Sequence, residues 1–246
     1  MELKENERID DLEFKNLKII QNKDGFCFGI DSVLLSEFAK EIKHDSIIVD
    51  IGTGNGIIGI LLSAKSNPKK IYGIEIQEEI ADIAKRSIQL NNLQNKFKII
   101  NDDIKNVIDK RLLEKNSIDV ITINPPYKEK NTGIINEDSS KIIARHETTA
   151  TLKDFIECSA KLLKDKGEIY MVHKAERIVD IIYLMREYKL EPKRIRFIYS
   201  NKHKEANLIL VKGIKGGKKF LKVEKPLYIY EKEGEYSEEI KKIYNK

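Results

Sequence analysis

A chain of 246 residues, 41% hydrophobic and 35% charged, can bury a sizeable core, and it suits one large α/β domain better than two small ones. Its 45 Lys plus Arg against 40 Asp plus Glu leave a net charge of only +5, which permits an anionic partner without demanding one. Cys27, Cys158 and the 4 histidines match no metal spacing, no apolar run approaches a membrane span, and Met1-Glu2-Leu3-Lys4-Glu5 lacks a signal-peptide core; a soluble cytoplasmic protein with reduced thiols, no metal and no membrane partner is expected, as a monomer or weak dimer.

Residues 1–20 are polar and mixed, with a turn signal at Asp10-Asp11-Leu12, and read as an extended arm or a short hairpin. Asp24-Gly25 reads as a hairpin turn and Asp31 as the N-cap of a helix over 33–43. Phe28 then stands just ahead of the main sheet, as a core aromatic or as part of a lid over a ligand. Residues 46–51 (Ser-Ile-Ile-Val-Asp-Ile) form the first clear strand, followed by Gly52-Thr53-Gly54-Asn55-Gly56 and an apolar helix over 57–66 that Asn67-Pro68 ends. A second strand over 71–76 closes on Glu75. The helix over 77–90 sets Ile80, Ala84 and Ile88 on one face until Asn91-Asn92 stops it, which completes a βαβ unit. Strand three, over 97–100, ends at Asp102-Asp103-Ile104, and a helix leads on to strand four over 118–123.

No periodic pattern returns between Tyr127 and Thr151, so the segment 128–150 is too long for an ordinary connection and reads as an active-site loop. Thr151 caps a helix over 152–164 that ends at Gly167. Strand five covers 168–173, a helix over 175–188 turns Ile178, Ile181, Ile182 and Met185 inward, and strands six and seven cover 194–199 and 206–211. Residues 200–205 are too few for a parallel crossover, so strand seven runs antiparallel beside strand six. The fold class is therefore α/β: a seven-stranded sheet, mostly parallel with an antiparallel last strand, and helices on both faces. Residues 1–45 form an N-terminal arm and lid helix packed on a main domain of 46–225, and 226–246 form a C-terminal tail with a short helix.

The fourth strand delivers Asn124-Pro125-Pro126-Tyr127 to the carboxyl edge of the sheet, where open α/β sheets bind ligands. The Asn124 amide oxygen and the Pro125 carbonyl can both accept hydrogen bonds from a planar amino group. Two acceptors pull that nitrogen toward a pyramidal shape and free its lone pair to attack an electrophilic carbon. Tyr127 can stack on the same flat group. Because prolines fix the backbone in advance, these acceptors cost little reorganisation during reaction.

Gly54-Asn55-Gly56-Ile57-Ile58-Gly59 satisfies a dinucleotide-binding pattern, with Glu75 at a suitable distance for a ribose contact. Against a nicotinamide cofactor, Gly52 rather than Gly54 closes the strand, and Asp50 at the strand end suits an ammonium or sulfonium better than a pyrophosphate. S-adenosylmethionine meets these demands. Asp50 then lies near its methionine amino group, Glu75 accepts from the ribose hydroxyls and Asp103 from the adenine amino group, while Gly52, Thr53, Gly54 and Gly56 allow close backbone approach. Ile76 and Ile104, beside those carboxylates, complete the candidate cofactor contacts with Asn124.

Together Asp50-Ile51-Gly52-Thr53-Gly54-Asn55-Gly56, Glu75 and Asn124-Pro125-Pro126-Tyr127 resemble the motifs of class I S-adenosylmethionine-dependent amino methyltransferases, which have a Rossmann-like sheet. More narrowly, Phe26-Cys27-Phe28-Gly29-Ile30-Asp31-Ser32-Val33-Leu34-Leu35, Ala144-Arg145-His146-Glu147 and Ala206-Asn207-Leu208-Ile209-Leu210-Val211 with Gly216-Gly217-Lys218 resemble the tRNA adenine-N6 methyltransferases that modify the adenosine beside the anticodon of valine tRNA. The resemblance covers nearly the whole chain and implies tRNA as partner. Relatives in the broad family methylate glutamine in release factors or guanine in ribosomal RNA. The glutamine enzymes carry a helical domain ahead of the first strand, for which only about 45 residues exist here.

A splayed-out, unpaired anticodon-loop base suits stacking on Tyr127. Candidate RNA contacts are Phe28, Arg145, His146, Lys202 and Lys218; the last two belong to basic clusters concentrated around strands six and seven. Arg145, His146 and Glu147 end the loop and could contact RNA or brace it, and read equally as an ordinary helix-flanking ion pair. A protein glutamine methyltransferase, a ribosomal RNA base methyltransferase and a non-catalytic RNA-binding module are the competing readings.

Overall fold

A computed structural model describes residues 3–23, 29–125, 127 and 150–244. Strand β3 (Ile47–Ile51) pairs in parallel with β4 (Lys70–Glu75) on one side and with β6 (Ile118–Ile123) on the other, and β4 pairs with β5 (Phe97–Asn101). Beyond β6 lies β7 (Leu163–Lys174), also parallel. β9 (Ala206–Lys215) then runs antiparallel between β7 and β8 (Leu190–Tyr199). Two further strands of 2 residues each, β10 (Lys222–Val223) and β11 (Leu227–Tyr228), add in parallel to β8 and bring the sheet to 9 strands. The sequence reading of seven omits these two because two-residue strands carry no readable alternation.

The strands read as unbroken runs of Ile and Val because both faces of the sheet are covered. Alternate residues enter different cores. Ile48, Val120 and Leu210 pack with helices α1 (Ile30–Phe38), α2 (Ile57–Lys65) and α3 (Glu78–Leu90), whereas Val49, Ile121 and Val211 pack with α4 (Leu152–Leu162) and α5 (Ile178–Glu187). The first core also receives Leu12 and Ile19 from the hairpin of β1 (Glu7–Asp11) and β2 (Lys18–Asn22), and Ile240 and Ile243 from α6 (Glu238–Ile243). Between β11 and α6 lies a small hairpin of β12 (Tyr230–Lys232) and β13 (Glu235–Tyr236).

Several expected elements change. The first helix begins at Ile30 and stops at Phe38, with Gly29 as its extended N-cap, so Asp31 lies inside the first turn and is not the cap. The helix expected after strand three is only a 3-10 turn, Ile104–Asn106. Left-handed backbone at Arg111 (φ 54°) and Asn116 (φ 54°) breaks any longer helix there. Thr151 does cap α4, its hydroxyl and backbone exchanging hydrogen bonds with Asp154 as a capping box. α4 ends at Leu162 because Leu163 already has extended backbone and opens β7. The Asp24-Gly25 turn, Cys27 and segment 128–149 lie outside the described residues. Among the described residues no helix is long and apolar enough to cross a membrane.

Candidate active site

Parallel register puts the carboxyl ends of β3, β4, β5, β6 and β7 on one rim, and the antiparallel β9 brings its first residues there beside the end of β8. The chain leaves β3 toward β4 on one side while β6 lies on the other, so the rim is split at a topological switch point between β3 and β6. Asp50, Glu75 and Asn124 flank that point on the same rim.

Asp50 has no exposed surface. Its two oxygens each accept a hydroxyl at 2.6 Å, Oδ1 from Thr122 on β6 and Oδ2 from Thr53 in the glycine loop. Burial pushes its carboxyl up to about 6, nearby Glu75 adds to the rise, and the two hydroxyls oppose it. Asp50 is therefore a buried strut carrying charge beneath the loop, with no surface open to a ligand. Gly73 makes the seat for Thr53, since a Cβ at that position would come within 2.7 Å of the Thr53 methyl. Gly52, Gly54 and Gly56 have φ of +68°, +57° and +90°, conformations that ordinary side chains disfavour. At Gly54 a Cβ would meet nothing within 4 Å, so the loop has open space before it.

Glu75, buried at the tip of β4, accepts from the Gly54 N–H at 3.0 Å and the Gln77 N–H at 2.9 Å. One carboxylate thus fixes the loop after β3 and the turn after β4. Asn101, which the sequence reading passes over, ties the next strand in by donating to the Glu75 carbonyl at 2.8 Å. Ile76 is exposed beside Glu75 and offers a flat apolar contact, whereas Ile104 is buried. Asp103 caps the 3-10 turn by accepting from the Lys105 N–H at 2.9 Å.

On the other side of the switch point, Asn124 is half-buried and Pro125 buried. Asn124 Nδ2 donates to Asp31 Oδ2 at 3.2 Å and Ser32 Oγ at 3.0 Å, both on α1. The Tyr127 hydroxyl reaches Asp31 Oδ2 at 2.8 Å and Asn124 Oδ1 at 2.9 Å. Burial, with the Asp31 carboxylate alongside, pushes the Tyr127 phenol well above its ordinary value and keeps it a donor. The ring stands edge-on to buried His173 at 5.5 Å, with Lys174 Nζ 5.6 Å from its centroid. Sequence reasoning missed Asp31, Ser32 and His173 as members of this cluster. The only local signal was an acidic residue before an apolar stretch, which reads as a cap.

The remaining candidates are dispersed. Phe28, Pro126, Arg145 and His146 lie outside the described residues. Lys202 is exposed in the turn between β8 and β9, on the Asn124 rim, beside a groove that Asn201, His203, Tyr230 and Lys232 also line. Lys218 is exposed at the opposite rim, past the far end of β9, where Gly216 N–H donates to the Lys189 carbonyl. Other late cations are engaged in structure: Arg194 with Glu41 and the Phe38 ring, Arg196 with Glu239, Lys212 with Glu168. The basic clusters therefore do not form one face. Among the described residues no group of three or more His, Cys, Asp or Glu could hold a metal ion.

A model of the family described as methyltransferase small domain matches residues 12–188. The chain is 28% identical over 204 residues to a tRNA1(Val) (adenine(37)-N6)-methyltransferase of Porphyromonas gingivalis, covering 82% of this chain and 79% of that one. A protein of the same description from Histophilus somni is 27% identical over 242 residues, covering 94% and 93%. In fold the chain resembles a predicted O-methyltransferase from Agrobacterium tumefaciens, with a TM-score of 0.69 at 19% identity over 87% of this chain and 95% of that one.

Proposed function

The chain belongs to the methyltransferase small domain family, and from that membership and the rim geometry we propose that it methylates the exocyclic amino nitrogen of an adenosine in tRNA, beside the anticodon of valine tRNA, using S-adenosylmethionine. The observation that carries the reading is the position of Asn124, on the same rim as Asp50 and Glu75 and across the switch point from them. The names of the relatives support adenine and valine tRNA as the finer choice.

The residues fit the cofactor on two counts. The open space before Gly54 accommodates a ligand that a Cβ would obstruct. The negative charge of Asp50, acting through the loop without touching a ligand, and of Glu75 at the loop's side suits a cationic amino acid, and Glu75, Ile76 and Asp103 would hold the ribose and adenine. When bound, S-adenosylmethionine supplies an electrophilic methyl: the nitrogen lone pair forms the new C–N bond as the C–S bond breaks, the electron pair stays with sulfur, and the nitrogen releases a proton to water.

The chain's part is positioning. Asn124 Oδ1 and the Pro125 carbonyl accept from the amino group and hold its lone pair in line, and Tyr127 stacks on the base. Because Tyr127 now donates toward Asn124 Oδ1, the incoming amino group replaces that hydroxyl. A sulfonium leaving group is activated already, so no dedicated general base is needed.

Nucleosides from the tRNA of cells with and without this protein, analysed by mass spectrometry, test the reading. N6-methyladenosine should be lost from valine tRNA alone when the protein is absent. Transfer of labelled methyl to ribosomal RNA or to a protein glutamine, with tRNA unlabelled, would overturn it.

A further inference from the structure

Asn124 can turn either end of its amide toward a substrate, but only the oxygen can accept from an amino group. The two ends are nearly isosteric, and half a turn about χ2 exchanges them. What selects between them is Asp31, which is 8% exposed and lies in the first turn of α1. Its Oδ1 is held by the Ser32 N–H at 2.9 Å, and Gly29 clears its space, since a Cβ there would come within 2.7 Å of that oxygen. Its Oδ2 faces Asn124 at 3.2 Å and the Tyr127 hydroxyl at 2.8 Å. An ionised carboxylate accepts only, so it must face the nitrogen of Asn124. The flipped amide would oppose two acceptor oxygens at that distance in a largely buried site. Ser32 cannot make this choice alone, because a hydroxyl either donates or accepts.

We propose that Asp31 is a positioning residue for methyl transfer: it locks the Asn124 oxygen toward the acceptor amino group, and it takes over the Tyr127 hydrogen when that amino group arrives. The second role follows from a single hydroxyl hydrogen shared between Asp31 Oδ2 at 2.8 Å and Asn124 Oδ1 at 2.9 Å. An amino group that occupies Asn124 Oδ1 sends this hydrogen to Asp31, with no hydrogen bond lost. The inference rests on the reading of Asn124 as acceptor for the reacting nitrogen.

The test uses the full chain, transcribed valine tRNA and tritiated S-adenosylmethionine. Asp31→Ala should lower kcat about 100-fold, the cost of a misplaced reacting pair, while KM for tRNA and affinity for S-adenosylhomocysteine stay within about twofold. Asp31→Asn, whose single oxygen is claimed by the Ser32 N–H, turns its nitrogen toward Asn124 and should lose turnover nearly as far as D31A. Asn124→Asp sets two carboxylates together, and the exchange D31N/N124D restores an amide–carboxylate pair, so the double variant should exceed N124D about tenfold, the scale of coupling between touching residues. Turnover of D31A within about twofold of the parent, or an exchange no better than N124D, overturns the inference. If D31A melts early or loses S-adenosylhomocysteine binding, the exchange pair decides. Full activity in Asn124→Ala, or no labelled RNA with the parent protein, sinks the methyl-transfer reading itself and this inference with it.

Discussion

Thr122 Oγ1 lies 2.6 Å from Asp50 Oδ1, so a hydroxyl on β6 donates to a wholly buried carboxylate on the neighbouring strand β3. Two paired strands whose outgoing connections part at the switch point are joined there through a side chain whose charge is costly to bury. A carboxyl at about 6 when folded, against 3.8 when unburied, disfavours the folded state once it ionises, on the order of 3 kcal/mol at neutral pH. The direction is opposite to that of a salt-bridged aspartate. Stability from this group is complete below pH 3.8 and is lost as pH rises through about 6. Asp50→Asn should therefore raise the melting temperature at pH 8 by a few degrees and leave it nearly unchanged at pH 4, where the parent carboxyl is mostly neutral. The threonine hydroxyls can rotate to accept from the new amide. The same variant should bind S-adenosylhomocysteine about tenfold more weakly, because the negative charge beneath the loop is gone. Calorimetric melting and titration at both pH values check the pair of outcomes, and equal stabilisation at pH 4 and pH 8 would contradict the assignment.

The glycines of the loop divide into two kinds, and alanine at each separates them. Gly59 completes the dinucleotide-like spacing, yet a Cβ there would sit 2.4 Å from the Phe97 ring, which is itself 2% exposed and cannot retreat. Gly59→Ala should destabilise the protein by roughly 1–3 kcal/mol, the overpacking cost outweighing the gain of about 1 kcal/mol in helix propensity. Gly54→Ala meets no neighbour but requires φ near +57°, a strain of about 1–2 kcal/mol, and its methyl projects into the open space. Cofactor affinity should fall far more in G54A than in any folded fraction of G59A. Equal losses of binding would mean that both glycines face the ligand.

Much of the site is legible in the sequence because it is built from strand ends, where a short apolar run locates the rim and the next residue is the candidate ligand. Asp50, one residue inside the end of its strand, is legible only as a charge near the rim, whereas Glu75 and Asn124 follow from that rule. Asp31 does not, since its partner Asn124 is 93 residues away and nothing local to Gly29-Ile30-Asp31-Ser32 distinguishes a helix cap from a carboxylate turned toward another strand. Likewise Gly59 carries the right spacing for a phosphate-binding fingerprint, and only the packing of Phe97 shows what its missing Cβ is for. The late lysines are visible as charge, but the rim each one occupies depends on strand direction.

At the amino-terminal hairpin, Arg86 on α3 donates to Glu7 through both terminal guanidinium nitrogens, at 2.6 Å and 2.5 Å, and holds its buried carboxyl below the usual range. A lowered carboxyl contributes stability that is complete above its unfolded value of about 4.5 and lost as pH falls through the folded value. Acid should therefore loosen the hairpin from α3 before the central sheet opens. Protection factors of the Ile19 and Ile20 amides, compared between pH 7 and about pH 3, should fall in the parent and be low at both pH values in Glu7→Gln. Arg86→Ala should cost about 3 kcal/mol at pH 7 by stranding the carboxylate.

The two lysines that the sequence makes equivalent candidates for RNA contact are separated by the length of β9. That strand descends from Ala206, beside Tyr199 on the Asn124 rim, to Lys215, beside Leu190 on the opposite rim. Its 10 residues span roughly 30 Å, well beyond the Debye length of about 8 Å at physiological salt. Lys202 shares the Asn124 rim, with β9 two strands from β6, so the phosphates of an RNA stem laid across that rim would pass it, whereas they would reach Lys218 only if the tRNA wrapped the sheet. Lys202→Ala should therefore raise KM for tRNA several-fold and reduce the slope of log affinity against log salt by about 1, with kcat unchanged. Lys218→Ala should change neither. Should Lys218→Ala carry the larger salt effect, the RNA must run over the far rim, and the anticodon arm would be entering the site from the side opposite to the one assigned to it here.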